Sequence, residues 1–338
     1  VSGELADLWS LTPPEAAWLT TSVSLGFVTG TALAAILNLA DVIPSRVYFS
    51  VAALLAGLAN GLVAFAPGFG MALGLRFLTG AFLAGVYPPA MKMVATWFRS
   101  SRGLAIGTVV GALTVGKATP YLLKAFPETN ANEVMLGASL GAVLAAGLIA
   151  AFYRDGPFTF HRQPFSWGLV GTVARHRQTR LATCGYLGHM WELYAMWAWV
   201  AVASAASYGA TMAAADADWL SKVTAFAAIS AGGVACALAG LAADKLGKAD
   251  IAIAAMVVSG LAALATAATF GGPAWLTFVV SLIWGAGVVP DSAQFSALVA
   301  DASPPEQAGS LMTFQTALGF ALTFATVQLT PVLADAVG

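Results

Sequence analysis

The sequence predicts an all-α polytopic membrane protein built as two pseudo-symmetric bundles of about five transmembrane helices each. The first observation behind this is composition: of 338 residues, 59% are hydrophobic and only 9% charged, with a mean hydropathy of +0.81. Soluble proteins carry roughly a quarter charged residues, so lipid is the solvent this chain is written for. The second is a series of ten apolar runs. At about 1.5 Å per residue each can cross a hydrocarbon core of about 30 Å, and none alternates as a barrel strand would. The third is the middle of the chain, where a polar, basic segment from Arg154 to Arg180 separates two similar apolar blocks. The expected organisation is a helical bundle over 1–153, a basic cytoplasmic linker over 154–180 and a second bundle over 181–338.

The runs follow in order. Thr12-Pro-Pro-Glu15 is a capping box with proline in the first turn, so a helix starts near Pro13 and continues to about Asn38. A second span covers about 46–66. A-P-G-F-G then turns the chain into a long third run, about 69–98, which ends at R-S-S-R. The fourth span runs from Gly103 to about Ala125 and the fifth from Val134 to Tyr153, with a polar turn between them. Beyond the linker, spans are expected at about 181–208, 219–243, 250–270, 273–300 and 308–334. Val1 is not an initiator methionine, so the chain reads as a fragment or a trimmed polypeptide.

Charge sorts along these runs. With the turn at 40–46 facing the cytoplasm, alternation puts ten basic residues on that side: Arg46, Arg99, Arg102, Arg154, Arg162, Arg175, Arg177, Arg180, Lys245 and Lys248. The other side receives Lys124 and Lys222 together with Glu4, Asp7, Glu15, Glu128, Glu133, Asp216, Asp218 and Asp335. Such asymmetry sets orientation and independently supports the span count, because one missed helix would scramble it. Cys184 and Cys236 lie within apolar runs as packing residues, and no metal site or cofactor is expected. The chain also has no CxxC, HExxH or phosphate-binding loop, so an enzyme is not expected.

Charge inside the membrane is the functional signal. An ionised side chain at mid-bilayer costs about 2.5–3.5 kcal/mol on insertion scales, so it is rare unless paired or used. Arg76, Lys117, Glu192 and Asp291 all fall deep within runs, with Lys92 nearer an interface. Glu192 sits roughly 18 Å from the basic end of its helix, and Gly185, His189, Glu192, Met196 and Trp199 share a face by 3 and 4 spacing. A carboxylate one turn from an imidazole suits proton transfer, or a satisfied polar pair. Lys117 pairs with Glu192 or attracts an anion; both readings are open. Asp291 shares a face with Trp284, Gly287 and Gln294, directly after the break at Pro290. Gly103, Gly107 and Gly111 form a small-residue stripe for close helix packing.

Two motifs carry a resemblance. The third run, Arg76-F-L-T-Gly80-A-F-L-A-Gly85, is similar to the fourth-helix signature of the major facilitator superfamily (MFS), an arginine followed by glycines. Gly240-L-A-A-Asp244-K-L-Gly247-Lys248 resembles that superfamily's repeated cytoplasmic motif, G-x-x-x-D-x-x-G-[RK]. A first copy keeps Asp41 and Arg46, with Leu37 in the glycine position and Pro44-Ser45 replacing the second glycine. The resemblance spans essentially the whole chain and aligns it with helices 2–11 of a twelve-helix fold. It implies that Asp41, Arg46, Gly240, Asp244, Gly247 and Lys248 form a cytoplasmic gating motif, that Gly80 and Gly85 pack helices, and that Arg76 anchors the fourth helix or aids proton coupling. G-H-M-W-E-L-Y-A-M-W and N-L-A-D are most similar to the cyanate-permease-like and nitrate-transporter-like branch of the superfamily.

The expected function is therefore secondary active transport of a small solute such as an organic anion. It proceeds by alternating access with proton symport, through a cavity set by Arg76, Lys117, His189, Glu192 and Asp291. The expected partners are the solute, the bilayer and protons, without nucleic acid; a monomer in the bacterial inner membrane is favoured. Drug or metabolite efflux, and a membrane sensor that binds without transporting, are the alternatives.

Overall fold

A computed structural model describes residues 5, 8–37, 39–98, 102–126, 129–158, 171, 173, 175–303 and 308–337. Among them the helices in chain order are α1 (Pro13–Ile36), α2 (Leu39–Val42), α3 (Ser45–Leu62), α4 (Phe69–Leu83), α5 (Tyr87–Ala95), α6 (Arg102–Lys124) and α7 (Ala131–Phe152). After the linker come α8 (Arg177–Gly209), α9 (Ala214–Leu246), α10 (Lys248–Thr269), α11 (Ala274–Val288), α12 (Pro290–Asp301) and α13 (Ala308–Val337). Eight membrane-crossing stretches meet the requirements of length and apolarity among the described residues. α8 falls outside that set because Trp, Tyr, His and Glu dilute its apolar content, although its 33 residues span roughly 50 Å.

Local chemistry explains the boundaries. The Glu15 carboxylate accepts from the Thr12 backbone N–H at 2.8 Å and from its hydroxyl at 2.6 Å, closing the start of α1. A full capping box between Asn130 and Glu133 opens α7. α9 hands over to α10 through Gly247 alone, at φ +100°, where a side chain would be strained.

Two runs read from the sequence as single spans are each two helices. The stretch 69–98 breaks between α4 and α5 before Pro88-Pro89, and 273–300 breaks between α11 and α12 at Pro290. In both, proline removes an N–H from the ladder and crowds the preceding turn.

The packing is inverted relative to a soluble bundle. On α10 the buried residues are Ala252, Ala255, Ser259 and Ala262, while Ile253, Val257, Leu261 and Leu264 are exposed. On α7, Leu136, Leu140, Leu144 and Leu148 form an exposed stripe at four-residue spacing. Large aliphatics outside and small residues inside are what helix association in lipid requires.

The chain forms two compact units, one of residues 1–99, 130–175 and 303–338, the other of 100–129 and 176–302. In the first, α1 packs on α4 and α13, and α3 on α4 and α7. A Cβ at Gly80 would stand 1.9 Å from the Val23 carbonyl oxygen, so only glycine permits the α1–α4 crossing. Gly85 lets the α4–α5 junction approach Ala52 and Tyr48 of α3. In the second, α6 lies along α9, which also packs on α8, α11 and α12. Gly107 meets the Cys236 carbonyl, and Gly111 and Gly233 face each other's backbone. By contact, α6 thus groups with helices of the second sequence half and α13 with helices of the first.

Candidate functional site

The ionisable groups of the second unit gather around α8. His189 is 1% exposed, and its Nδ1 lies 2.7 Å from Asp291 Oδ1, itself on a residue only 2% exposed. The two are not aligned as a hydrogen bond, and Nε2 of the same ring is buried without a partner. The break at Pro290 makes Asp291 the second residue of α12, where unpaired N–H groups favour a negative charge. Phe295, one turn further along α12, packs its ring over the position where Gly185 carries no side chain and lies against His189. An imidazole and a carboxylate held together away from water can share one proton, and each further gain or loss leaves a buried charge.

Glu192 is one turn beyond His189 but has separate partners. Its Oε2 accepts from the Ser259 hydroxyl at 3.1 Å, and its Oε1 from the Trp284 indole N–H at 2.9 Å. The carboxylate thereby ties α8 to α10 and α11. Sequence spacing had put Glu192 with His189 and Trp284 with Asp291; instead His189 meets Asp291 and Glu192 meets Trp284. Ser259 was missed, though a lone hydroxyl within A-A-M-V-V-S-G-L was a signal for it.

Lys117 reaches α8 on another face. Its Nζ stands 5.0 Å from the Tyr194 ring centroid and 4.8 Å from that of Trp197, both within cation–π range. Tyr121, one turn on, donates its hydroxyl to the Trp197 carbonyl at 3.0 Å. Neither Tyr194 nor Trp197 was singled out from the sequence, because aromatics in an apolar run read as packing.

Arg76 belongs to the first unit and is part of a different cluster. Its Nε donates to the Leu19 carbonyl at 3.0 Å and its Nη1 to Asn60 Oδ1 at 3.3 Å. Asn60 in turn donates to the Met135 carbonyl and to Ser139 Oγ. One guanidinium and one amide thus join α1, α3, α4 and α7.

Of the gating-motif residues, Arg46 and Asp244 are exposed and Gly240 is buried. Lys248, just after the Gly247 turn, forms an ion pair with Asp301 at the end of α12, an acidic partner the sequence reading did not name. The side-chain surroundings of Asp41 and Gly103 lie outside the described residues. At the start of the linker, the Gly156 N–H donates to Thr96 Oγ1, the Phe158 N–H to the Thr96 carbonyl and the Trp97 indole to the Arg154 carbonyl, so 154–158 is pinned to the end of α5. Burial raises the Tyr153 phenol above its ordinary value there.

With long apolar helices, broken spans and the Gly240–Lys248 turn in place, comparison with known families decides the class. A family model described as Major Facilitator Superfamily matches residues 2–326. The chain belongs to that superfamily. It is also 37% identical over 175 residues to the niacin transporter NiaP of Acinetobacter baylyi, a match covering 50% of this chain and 39% of that protein. The chain therefore spans well under two thirds of the relative's length. A multi-pass membrane protein follows from the superfamily and the eight apolar stretches, and it is this membership, rather than any missing motif, that argues against an enzyme.

Proposed function

We propose that this member of the superfamily is a secondary active transporter of a small organic anion, working by alternating access of the bundles 1–153 and 181–338 and coupled to protons in a bacterial inner membrane. The observation that carries the reading is the buried His189–Asp291 pair beside a helix broken at Pro290. Discontinuous helices are a recurring way for transporters to present ion and substrate sites within the bilayer. Glu192, on the next turn of α8 and tied to two further helices, couples a change at that pair to α10 and α11. Lys117 supplies the positive charge for the anion. Arg76, bonded to a backbone carbonyl and an amide oxygen, holds the first unit's helices together rather than meeting the solute. Asp41, Arg46, Asp244 and Lys248 act as the cytoplasmic gate.

The name of the relative favours a carboxylate-bearing solute, and we propose niacin as the first compound to test. Branch assignment follows the same line: the partial likeness to NiaP is better supported than the cyanate-permease-like and nitrate-transporter-like resemblance. The deciding experiment is uptake of radiolabelled niacin into proteoliposomes of the full-length protein under an imposed pH gradient. Accumulation that collapses with a protonophore supports proton coupling. Equilibration that ignores the gradient removes it, and the absence of any uptake across a panel of carboxylates removes the anion reading.

A further inference from the structure

Lys117 places its ammonium against two aromatic faces, and the rings themselves are 5.6 Å apart and tilted by 50°. Tyr121 fixes this juxtaposition by hydrogen-bonding the backbone of Trp197. Trp197 is 5% exposed, and its indole N–H has no hydrogen-bond partner. We propose that Lys117, Tyr194 and Trp197 form a subsite selective for planar aromatic monocarboxylates, an inference that rests on the transport reading above.

The selectivity comes from an exchange on the ring faces. In the structure the ammonium is attracted by the electron-rich faces of Tyr194 and Trp197. An arriving carboxylate forms a charge-assisted hydrogen bond with that ammonium and draws it away from the rings. The vacated faces lose a cation. A ligand with an aromatic ring returns an offset or edge-to-face ring contact in its place, whereas a saturated acid of the same size returns only dispersion. The single positive charge of Lys117 matches a single carboxylate; a dianion brings a second charge that neither ring can serve. Tyr121 is a positioning residue, acting through the backbone of α8.

Isothermal titration of the purified full-length protein with benzoate and with cyclohexanecarboxylate tests the subsite directly, because the two probes share charge and approximate size and differ in aromaticity. Benzoate is expected to bind about tenfold more tightly, a difference of about 1.4 kcal/mol. In Tyr194→Leu, a half-buried position, the ratio falls to near one; Trp197→Leu does the same where it folds, and Lys117→Met abolishes binding of both acids. Equal affinities in the wild type, or an unchanged ratio in Tyr194→Leu, overturn the proposal. The two readings fail separately. Selective benzoate binding without uptake into proteoliposomes leaves the subsite and removes transport, whereas uptake of both acids at equal rates leaves transport and removes the subsite.

Discussion

Arg76 in the first unit and the His189–Asp291 pair in the second are both buried polar clusters in lipid-facing bundles, yet they are built on opposite lines. Around Arg76 each partner is a neutral oxygen, and Asn60 passes the hydrogen bonding on to Met135 and Ser139. The cluster joins four helices. His189 and Asp291 lie close without an aligned hydrogen bond, next to a helix end. A buried polar group left without its partners costs about 1–3 kcal/mol, so such a pair persists only if the surrounding packing holds it. The contrast teaches where to look for activity: a network that ties four helices together resists change, whereas a pair without aligned hydrogen bonds beside a helix break can rearrange at smaller structural cost.

The comparison can be broken at either end. Arg76→Leu is expected to have the largest effect on folding. It leaves Asn60 Oδ1 without its donor and removes the link from α4 to the Leu19 carbonyl, and a loss of about 3 kcal/mol or more follows. Thermal unfolding in detergent, followed by monodispersity on size exclusion, measures this; a melting temperature within a degree or two of wild type would refute the anchoring role. Asp291→Asn is expected to do the reverse. The amide has the shape of the carboxylate it replaces, so stability changes by less than about 1 kcal/mol, while gradient-driven accumulation in proteoliposomes falls at least tenfold and counterflow persists. Loss of folding in this variant and full coupling in Arg76→Leu would together invert the assignment.

Much of this was legible in the sequence, and what was not has a physical reason. The helix start at Thr12–Glu15 could be read directly, because capping depends on neighbours in the chain; the turn at Gly247 is tighter than the gap between 243 and 250 that the expected spans left. That Glu192 and Asp291 lie within long apolar runs was also legible, since it follows from counting residues. Their partners were not. Spacing along α8 places His189 and Glu192 on one stripe, but which residue meets Asp291 and which meets Trp284 depends on the rotation of α11 and α12 after the break at Pro290. The break at Pro290 could be read from the proline itself, whereas the one before Pro88-Pro89 was passed over within a run of unbroken hydrophobicity, because apolar content does not report the backbone. Tyr194 and Trp197 were passed over for the same reason: an aromatic that serves a cation has the same sequence signature as one that fills a gap.

Trp284→Phe sharpens the contrast on an intermediate scale. It keeps the ring and removes one of the two donors to Glu192, so the expected cost is about 1 kcal/mol. Ser259→Ala removes the other donor at similar cost, and the double variant leaves the carboxylate without either. Double-mutant analysis by thermal unfolding is expected to show a coupling beyond additivity, because each donor alone still orients the same carboxylate. Strict additivity would mean that Glu192 is held by its own helix and does not tie α8 to α10 and α11.

The smallest effect is expected at the surface, in the pair between Lys248 and Asp301. Both side chains are partly exposed, at 32% and 59%, so water and salt screen the attraction. Lys248→Gln should therefore cost less than about 1 kcal/mol, and less still in concentrated salt. The proposed gate does not need more than that. A contact that joins the start of α10 to the end of α12 in one state and is absent in another shifts the balance of states by its full differential energy, and about 1.4 kcal/mol already changes that balance tenfold. Lys248→Gln and Asp301→Asn are thus expected to change the transport rate severalfold at low salt while leaving the melting temperature nearly fixed. The charge-reversed double variant, Lys248→Asp with Asp301→Lys, should recover the wild-type rate. Recovery marks the ion pair as the element that biases the states. A rate that stays changed in the reversed pair assigns the effect to each residue separately, and removes the pair from the gate.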